Sequence, residues 1–352
     1  MLRGVCQAGF CGGWMHFPRL ADVPARPLLR CKLLSMGRSV GSSEDITPRA
    51  SLFRRLRKES AEGVFSRFLR ISVTLLSLPI ILMGYFQAET GREFGVGFFK
   101  KIWLVLKMAR NRRRILTASH FLEHLIMATQ ILRVPRSVEG SVVECGSFKG
   151  GSAANLSLVC DLCDRKLEVF DSFGGLPEPS DTDKRHILVN SREIHSYEQG
   201  AFCGTLPEVQ RNISKYGKIS ACNFHVGYFE KTLPDFSQKC VLAFLDVDLT
   251  DSLETCLTYL WPLLQDGCCL FTHEAHHMEI AGFFFQEEWW RSKMHCAAPG
   301  LIGAGTGLGL IPSPGGFRSC LGYAVKNPNT RDFELNPQLG QSGVPALAGP
   351  GR

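Results

Sequence analysis

The sequence predicts an α/β domain with a doubly wound, mostly parallel sheet, preceded by a basic helical extension. Three observations lead there. Between residues 116 and 326, short β-branched and apolar runs alternate with segments of helical period. Such alternation builds parallel strands joined by crossover helices. Several runs end in glycine or an acid, at the strand ends where ligands bind in these sheets. Charge is divided: residues 1–120 carry 21 Lys and Arg against 7 Asp and Glu, so the +7 of the 352-residue chain hides a basic first third and an acidic remainder. A composition 45% hydrophobic and 21% charged excludes wholesale disorder. The uninterrupted apolar runs of roughly 18 residues that mark polytopic membrane proteins are missing.

The elements follow in order. Residues 116–131 place Phe121, Leu122, Leu125, Ile126 and Ile131 on one side of a helix. Residues 141–146 form a β-branched strand ending at a glycine, and 151–163 a helix rich in small residues. A second strand spans 167–171, and a helix over 206–216 closes at Gly217. Strands are expected at 223–226, 241–246 and 268–272. Helices are expected at 252–264, with Leu253, Cys256, Leu257 and Leu260 on one face, and at 280–291. Residues 308–311 and 320–325 read as a hairpin around 312–316.

The flanks differ. Residues 1–50 are basic and acid-poor, like a targeting or disordered segment, though without a clear cleavage pattern. Residues 51–115 read as an apolar, basic helical extension. Its apolar stretch 71–86 would reach only ~24 Å against a hydrocarbon core of ~30 Å. Pro79 would also kink it. Phe98, Phe99, Ile102, Trp103, Leu104 and Leu106 stand beside Lys100, Lys101 and Lys107. That mixture suits peripheral binding to anionic lipid, or packing on the next domain or a second copy. A cytoplasmic and an organellar location both stay open. Residues 327–352 read as a solvated tail, and no nucleic-acid recognition motif is present. Fourteen cysteines, many inside apolar runs, read as buried thiols. Cys160 and Cys163 form a CxxC without a second pair at zinc spacing.

The chemistry sits at the strand ends. The first strand runs into Glu144-Cys-Gly146 and on to Gly150, Gly151 and Ser152, an ExGxxxGG turn before a helix. Such glycines allow close backbone approach to a ligand, and the preceding acid suits a cationic amino-acid end. Asp171 ends the second strand, where a carboxylate can accept both hydroxyls of a ribose or cap a turn. Asp246 and Asp248 end the fourth strand, as chemistry-bearing acids or as a charge pair at a helix start. Thr272 leads into His273, Glu274, His276 and His277. The spacing matches HExxH, but His273 ends a strand, so the one-helix geometry of zinc proteases is not expected. The glycine-rich stretch 303–309 has no helix after it and reads as a rim loop.

Four motifs in order, Val143 to Ser152, Phe170 to Glu178, Gly227 to Pro234 and Leu245 to Leu249, resemble the macrocin and mycinamicin sugar O-methyltransferase family. The resemblance covers roughly 121–325 and implies a Rossmann-like class I methyltransferase using S-adenosylmethionine, usually with a divalent metal. It implies methyl transfer to a hydroxyl of a sugar or glycosylated small molecule. It places Glu144, Gly146 and Ser152 at the methionine end and Asp171 at the ribose, with Ser172 and Phe173 beside it. Gly227, Tyr228 and Phe229 border the cofactor pocket. The family ligates its metal with an aspartate at Asp246 and an aspartate pair after the fifth strand, where this chain has His273 and Glu274. Imidazole favours softer ions than magnesium. The expected set is therefore Asp246, His273 and Glu274 for Mg²⁺ or Mn²⁺, with Asp248, His273 or His277 taking the proton. The departure also leaves room for a non-catalytic protein of this fold that binds a partner or a membrane.

Overall fold

The computed structural model describes residues 82–183, 197–303 and 319–327, with the backbone of two short strands, His186–Ile187 and Ile194–His195. The basic clusters before residue 82, the expected strand 308–311, the loop 304–309 and the tail beyond 327 lie outside the described residues. Helix α1 spans Phe98–Arg112 and α2 Phe121–Arg133. Then come β1 Ser141–Cys145, α3 Gly151–Cys163, β2 Leu167–Asp171, the short pair β3 and β4 just named, and α4 Leu206–Tyr216. Next are β5 Cys222–Val226, the one-turn α5 Phe229–Thr232, β6 Cys240–Leu245, α6 Thr250–Leu263 and β7 Leu264–Thr272. Helix α7 Met278–Phe283 and α8 Glu287–Trp289 precede β8 Gly322–Val325.

The sheet runs β5-β2-β1-β6-β7-β8, parallel except for β8 against β7. This is the doubly wound arrangement the alternation predicts. Strands β1 and β6 are buried throughout: β6 is apolar along its whole length, and β1 buries Ser141 and Glu144 among its apolar residues. Strand order reverses between β1 and β6, which opens a crevice at their carboxyl ends. Helices α1 to α4 pack together on one side, while α6 packs against α7 and the turn after α8.

Three expectations change. Tyr85, Leu104, Met108 and Ile115 share the core with α2 and α3. The Asn111 amide donates to Asn155 Oδ1 and to the Tyr216 carbonyl, both at 2.9 Å. Residue 115 is therefore no boundary in the described part. Lys101 is buried, its ammonium giving a 2.7 Å bond to the Gln87 carbonyl, so it is not a lipid-facing charge. Phe98, Phe99, Trp103 and Leu106 are the exposed residues of α1. No helix among the described residues is long and apolar enough to cross a membrane. Finally, the expected helix 280–291 is broken. The fully buried Trp290 donates its indole N–H to the Phe283 carbonyl at 3.0 Å, and α7 stops there.

The cysteines of the sheet and helices, among them Cys145, Cys160, Cys163, Cys256, Cys268 and Cys269, are buried free thiols. Burial pushes the Cys163 thiol up to about 12, which removes it from redox or metal chemistry at neutral pH.

Helix α6 has no basic residue in its last turn. Lys326, just past β8, reaches across and donates to the carbonyls of Trp261, Pro262 and Leu264 at 2.9, 3.1 and 2.6 Å. It caps the helix and matches its negative end. Lys326→Met should leave these carbonyls unmet and cost roughly 2–4 kcal/mol. Urea unfolding of the two proteins measures the difference.

Candidate active site

A cavity of about 250 Å³ opens at the carboxyl ends of β1, β2, β6 and β7. There the ladder continues one residue past the strands. The Gly146 N–H donates to the Phe170 carbonyl, Asp246 N–H to Cys145 and His273 N–H to Leu245, each at 2.9 Å. Parallel register thus sets Gly146, Asp246 and His273 side by side. Gly146 has φ 84°, and a methyl group there would fall 1.9 Å from the Asp246 carbonyl oxygen. Its glycine is required by strand contact, not only by ligand approach. At Gly151 a methyl group would meet Thr117 Cβ at 2.7 Å. The glycines are closed upon by the protein itself.

Asp171 fastens this turn. One carboxylate oxygen accepts from the Ser147 N–H at 2.7 Å and the Ser147 hydroxyl at 2.9 Å. The other accepts from the Phe173 N–H at 2.7 Å. Burial raises its pKa against these bonds. Asp171 also lines the cavity.

On the β6 and β7 side an acidic cluster faces the same space. His273 lies between two carboxylates, with Nδ1 3.3 Å from Asp246 Oδ1 and Nε2 3.4 Å from Glu123 Oε2. Burial would lower its pKa, but Asp246 and Glu123 hold it well above the ordinary imidazole range. Burial works against Glu123 as well, yet the charge and hydrogen bond of His273 and bonds from His120 and Ser319 bring it down to about 2. Both ring nitrogens of His273 thus face carboxylates. Glu274 accepts from the Thr272 hydroxyl at 2.9 Å. Burial, with Asp246 and Asp248 close by, raises Glu274 well above the usual carboxylate range. Asp248 sits in the left-handed region at φ 62°, an uncommon conformation that recurs at functional sites. Tyr197, buried, points its hydroxyl at His277 Nε2 at 3.5 Å. Asp246, His273 and Glu274 each offer a ligand atom within 4.8 Å of the others, the one such trio among the described residues. Two carboxylates and an imidazole suit a divalent first-row ion, so the residues fit the implied metal.

Residues 116–283 match the family model of the macrocin O-methyltransferases (TylF). That span contains β1, β2, β6, β7 and nearly the whole cavity wall. The chain is 34% identical over 137 residues to the mycinamicin III 3''-O-methyltransferase of Micromonospora griseorubida, across 37% of this chain and 53% of that protein. It thus spans about half the length of this curated relative. Among solved structures it resembles the O-methyltransferase NovP, with TM-score 0.45 and 20% identity over 63% of this chain and 88% of that one. It also resembles the calicheamicin methyltransferase CalS11, with TM-score 0.41 and 15% identity over 82% and 99%.

Of the residues expected from the family motifs, Gly146, Ser152, Asp171, Ser172, Tyr228, Phe229, Asp246, Asp248, His273, Glu274 and His277 line the cavity. Three do not. Gly227 donates to the Asp171 carbonyl from behind, and Phe173 is buried below. Glu144 is buried completely beneath the turn, with neither carboxylate oxygen hydrogen-bonded. Burial raises it to about 8, against the lowering effect of nearby Ser152, so it is largely neutral at pH 7. It is not the exposed anionic contact the motif implies. Sequence reasoning missed Glu123, Ser147, Tyr197 and Phe148. Phe148 and Phe202 line the mouth edge to face, ring centres 6.1 Å apart, both with positive φ. The HExxH spacing is not a zinc-protease helix, since β7 ends at Thr272 and α7 starts at Met278.

Glu144 gives a pH signature. Its folded pKa, about 8, exceeds the ordinary 4.5, so the unfolded chain ionises first and folding weakens as pH rises between these values. Glu144→Gln should remove that loss, and the variant should gain on the parent between pH 4.5 and pH 8. Denaturant melts across this range test it. A parallel pH dependence in both proteins would reject the assignment.

Proposed function

We propose that the family domain transfers a methyl group from S-adenosylmethionine to a hydroxyl of a sugar or glycosylated small molecule, with a divalent cation at Asp246, His273 and Glu274. The observation that supports this reading is that the Asp171-clamped turn and the acidic cluster open on one cavity. The sulfonium supplies an already activated methyl group, and the cation would lower the pKa of the acceptor hydroxyl. The chain's own work is placement and proton handling. The Ser147 turn and the start of α3 hold the methionine end, while Asp171 and Ser172 hold the ribose side. Tyr228 and Phe229 wall the pocket.

An in-line displacement needs the acceptor oxygen held near the methyl carbon. The contact between Gly146 and the Asp246 carbonyl fixes the two halves at short range. Asp248 and His277 stand on the acceptor side, where either can take the hydroxyl proton. Tyr197, raised by burial and by the neighbouring acids, stays protonated and orients this edge. The matched family model and the mycinamicin III 3''-O-methyltransferase are both named for O-methylation, which supports a hydroxyl acceptor here.

Calorimetric titration with S-adenosylmethionine tests the reading. The full chain should bind it, and Asp171→Ala should weaken binding by about tenfold or more, roughly 1.4 kcal/mol. Asp246→Asn should abolish turnover with cofactor affinity nearly unchanged. A wild-type chain that fails to bind S-adenosylmethionine would reject the enzyme. Binding without turnover on any glycosylated acceptor would favour a non-catalytic role.

A further inference from the structure

We infer that Glu123, acting through His273, sets the metal preference of this site and turns it from magnesium toward a first-row divalent ion such as Mn²⁺. The inference rests on the metal-assisted reading above. The candidate donor trio holds one imidazole, His273, beside the carboxylates of Asp246 and Glu274. An imidazole can ligate only through a nitrogen that is not protonated. Here Nε2 faces Glu123 Oε2 at 3.4 Å, and Nδ1 faces the side of Asp246. A carboxylate that accepts the Nε2 proton fixes the tautomer and leaves the Nδ1 lone pair toward Asp246 and Glu274. Outer carboxylates hold metal-ligating histidines in this way.

Glu123 is built for that task. Its Oε1 accepts from the Ser319 hydroxyl at 2.8 Å and the Cys320 N–H at 3.2 Å. Its Oε2 accepts from the His120 N–H at 2.5 Å, which closes the capping box of α2. The side chain is 2% exposed. Anchored at both oxygens, it cannot swing away, so the imidazole keeps its orientation. The resulting donor set is one nitrogen and two carboxylates. Mg²⁺ demands oxygen ligands and sheds water reluctantly, whereas first-row divalent ions accept imidazole. Glu123 touches neither acceptor nor cofactor in this arrangement and is a positioning residue.

The test uses the full chain stripped by a chelator, titrated with Mn²⁺ and with Mg²⁺, and the electron spin-echo spectrum of bound Mn²⁺. Mn²⁺ should bind at least about tenfold more tightly than Mg²⁺. The spectrum should carry nitrogen modulation from a directly bound imidazole. His273→Asp should erase the modulation and narrow the preference. Glu123→Gln should loosen Mn²⁺ by roughly 10–100-fold. Because Glu123 also caps α2, thermal melts accompany that variant, and His273→Asp decides the matter if it does not fold. Mn²⁺ bound without nitrogen modulation would overturn the inference and leave the metal site standing. Failure of the wild type to bind either ion would overturn both.

Discussion

The site depends on the parallel register of β1, β6 and β7. Because Cys145 pairs with Leu245 and Leu245 with Thr272, the three strands end level. The next residue of each is then held by its neighbour's carbonyl, which sets Gly146, Asp246 and His273 in a row. A slip by one residue would move the chemistry to the opposite face of the sheet. Burial on both faces makes that slip costly, since Val143, Phe244 and Phe271 would all lose their places in the core.

Charge is the second constraint. Glu123 and Asp246 flank one imidazole, and Glu274 lies close to Asp246 and Asp248. Like charges in a buried place cannot all ionise, so the cluster either keeps a proton on Glu274 or recruits positive charge. Glu144 illustrates the first solution on the other side of β1, where a lone carboxyl under the turn takes a proton rather than a partner. His273 illustrates the second. The acidity of the domain, diluted in the chain's net +7, is concentrated where a cation would be needed.

Much of this was legible in the sequence. Helices α3 and α4 and strand β2 begin and end at the residues expected, because glycine or an acid marks those ends. The cavity residues that follow a strand were legible for the same reason. What escaped was non-local. Glu123 lies in the middle of an apolar helical pattern, and nothing in its neighbourhood announces a partner 150 residues later. Ser147 looks like an ordinary turn residue until Asp171 arrives from the next strand. The break after α7 was hidden because the buried ring of Trp290 keeps the helical period while its indole takes the Phe283 carbonyl. Strand β7 begins at Leu264 rather than 268 because its exposed first residues, Gln265 and Asp266, lack the apolar signal.

The closeness of Gly146 to the Asp246 carbonyl has an evolutionary meaning. A side chain at Gly146 would collide with the Asp246 carbonyl, so the ends of β1 and β6 on the two sides of the cavity are tied to each other. Neither can drift by substitution without the other. A descendant of this chain that takes up a new ligand must therefore change the surrounding loops and leave these strand ends alone. Ligand range and the geometry of the cavity floor are inherited through different parts of the sequence.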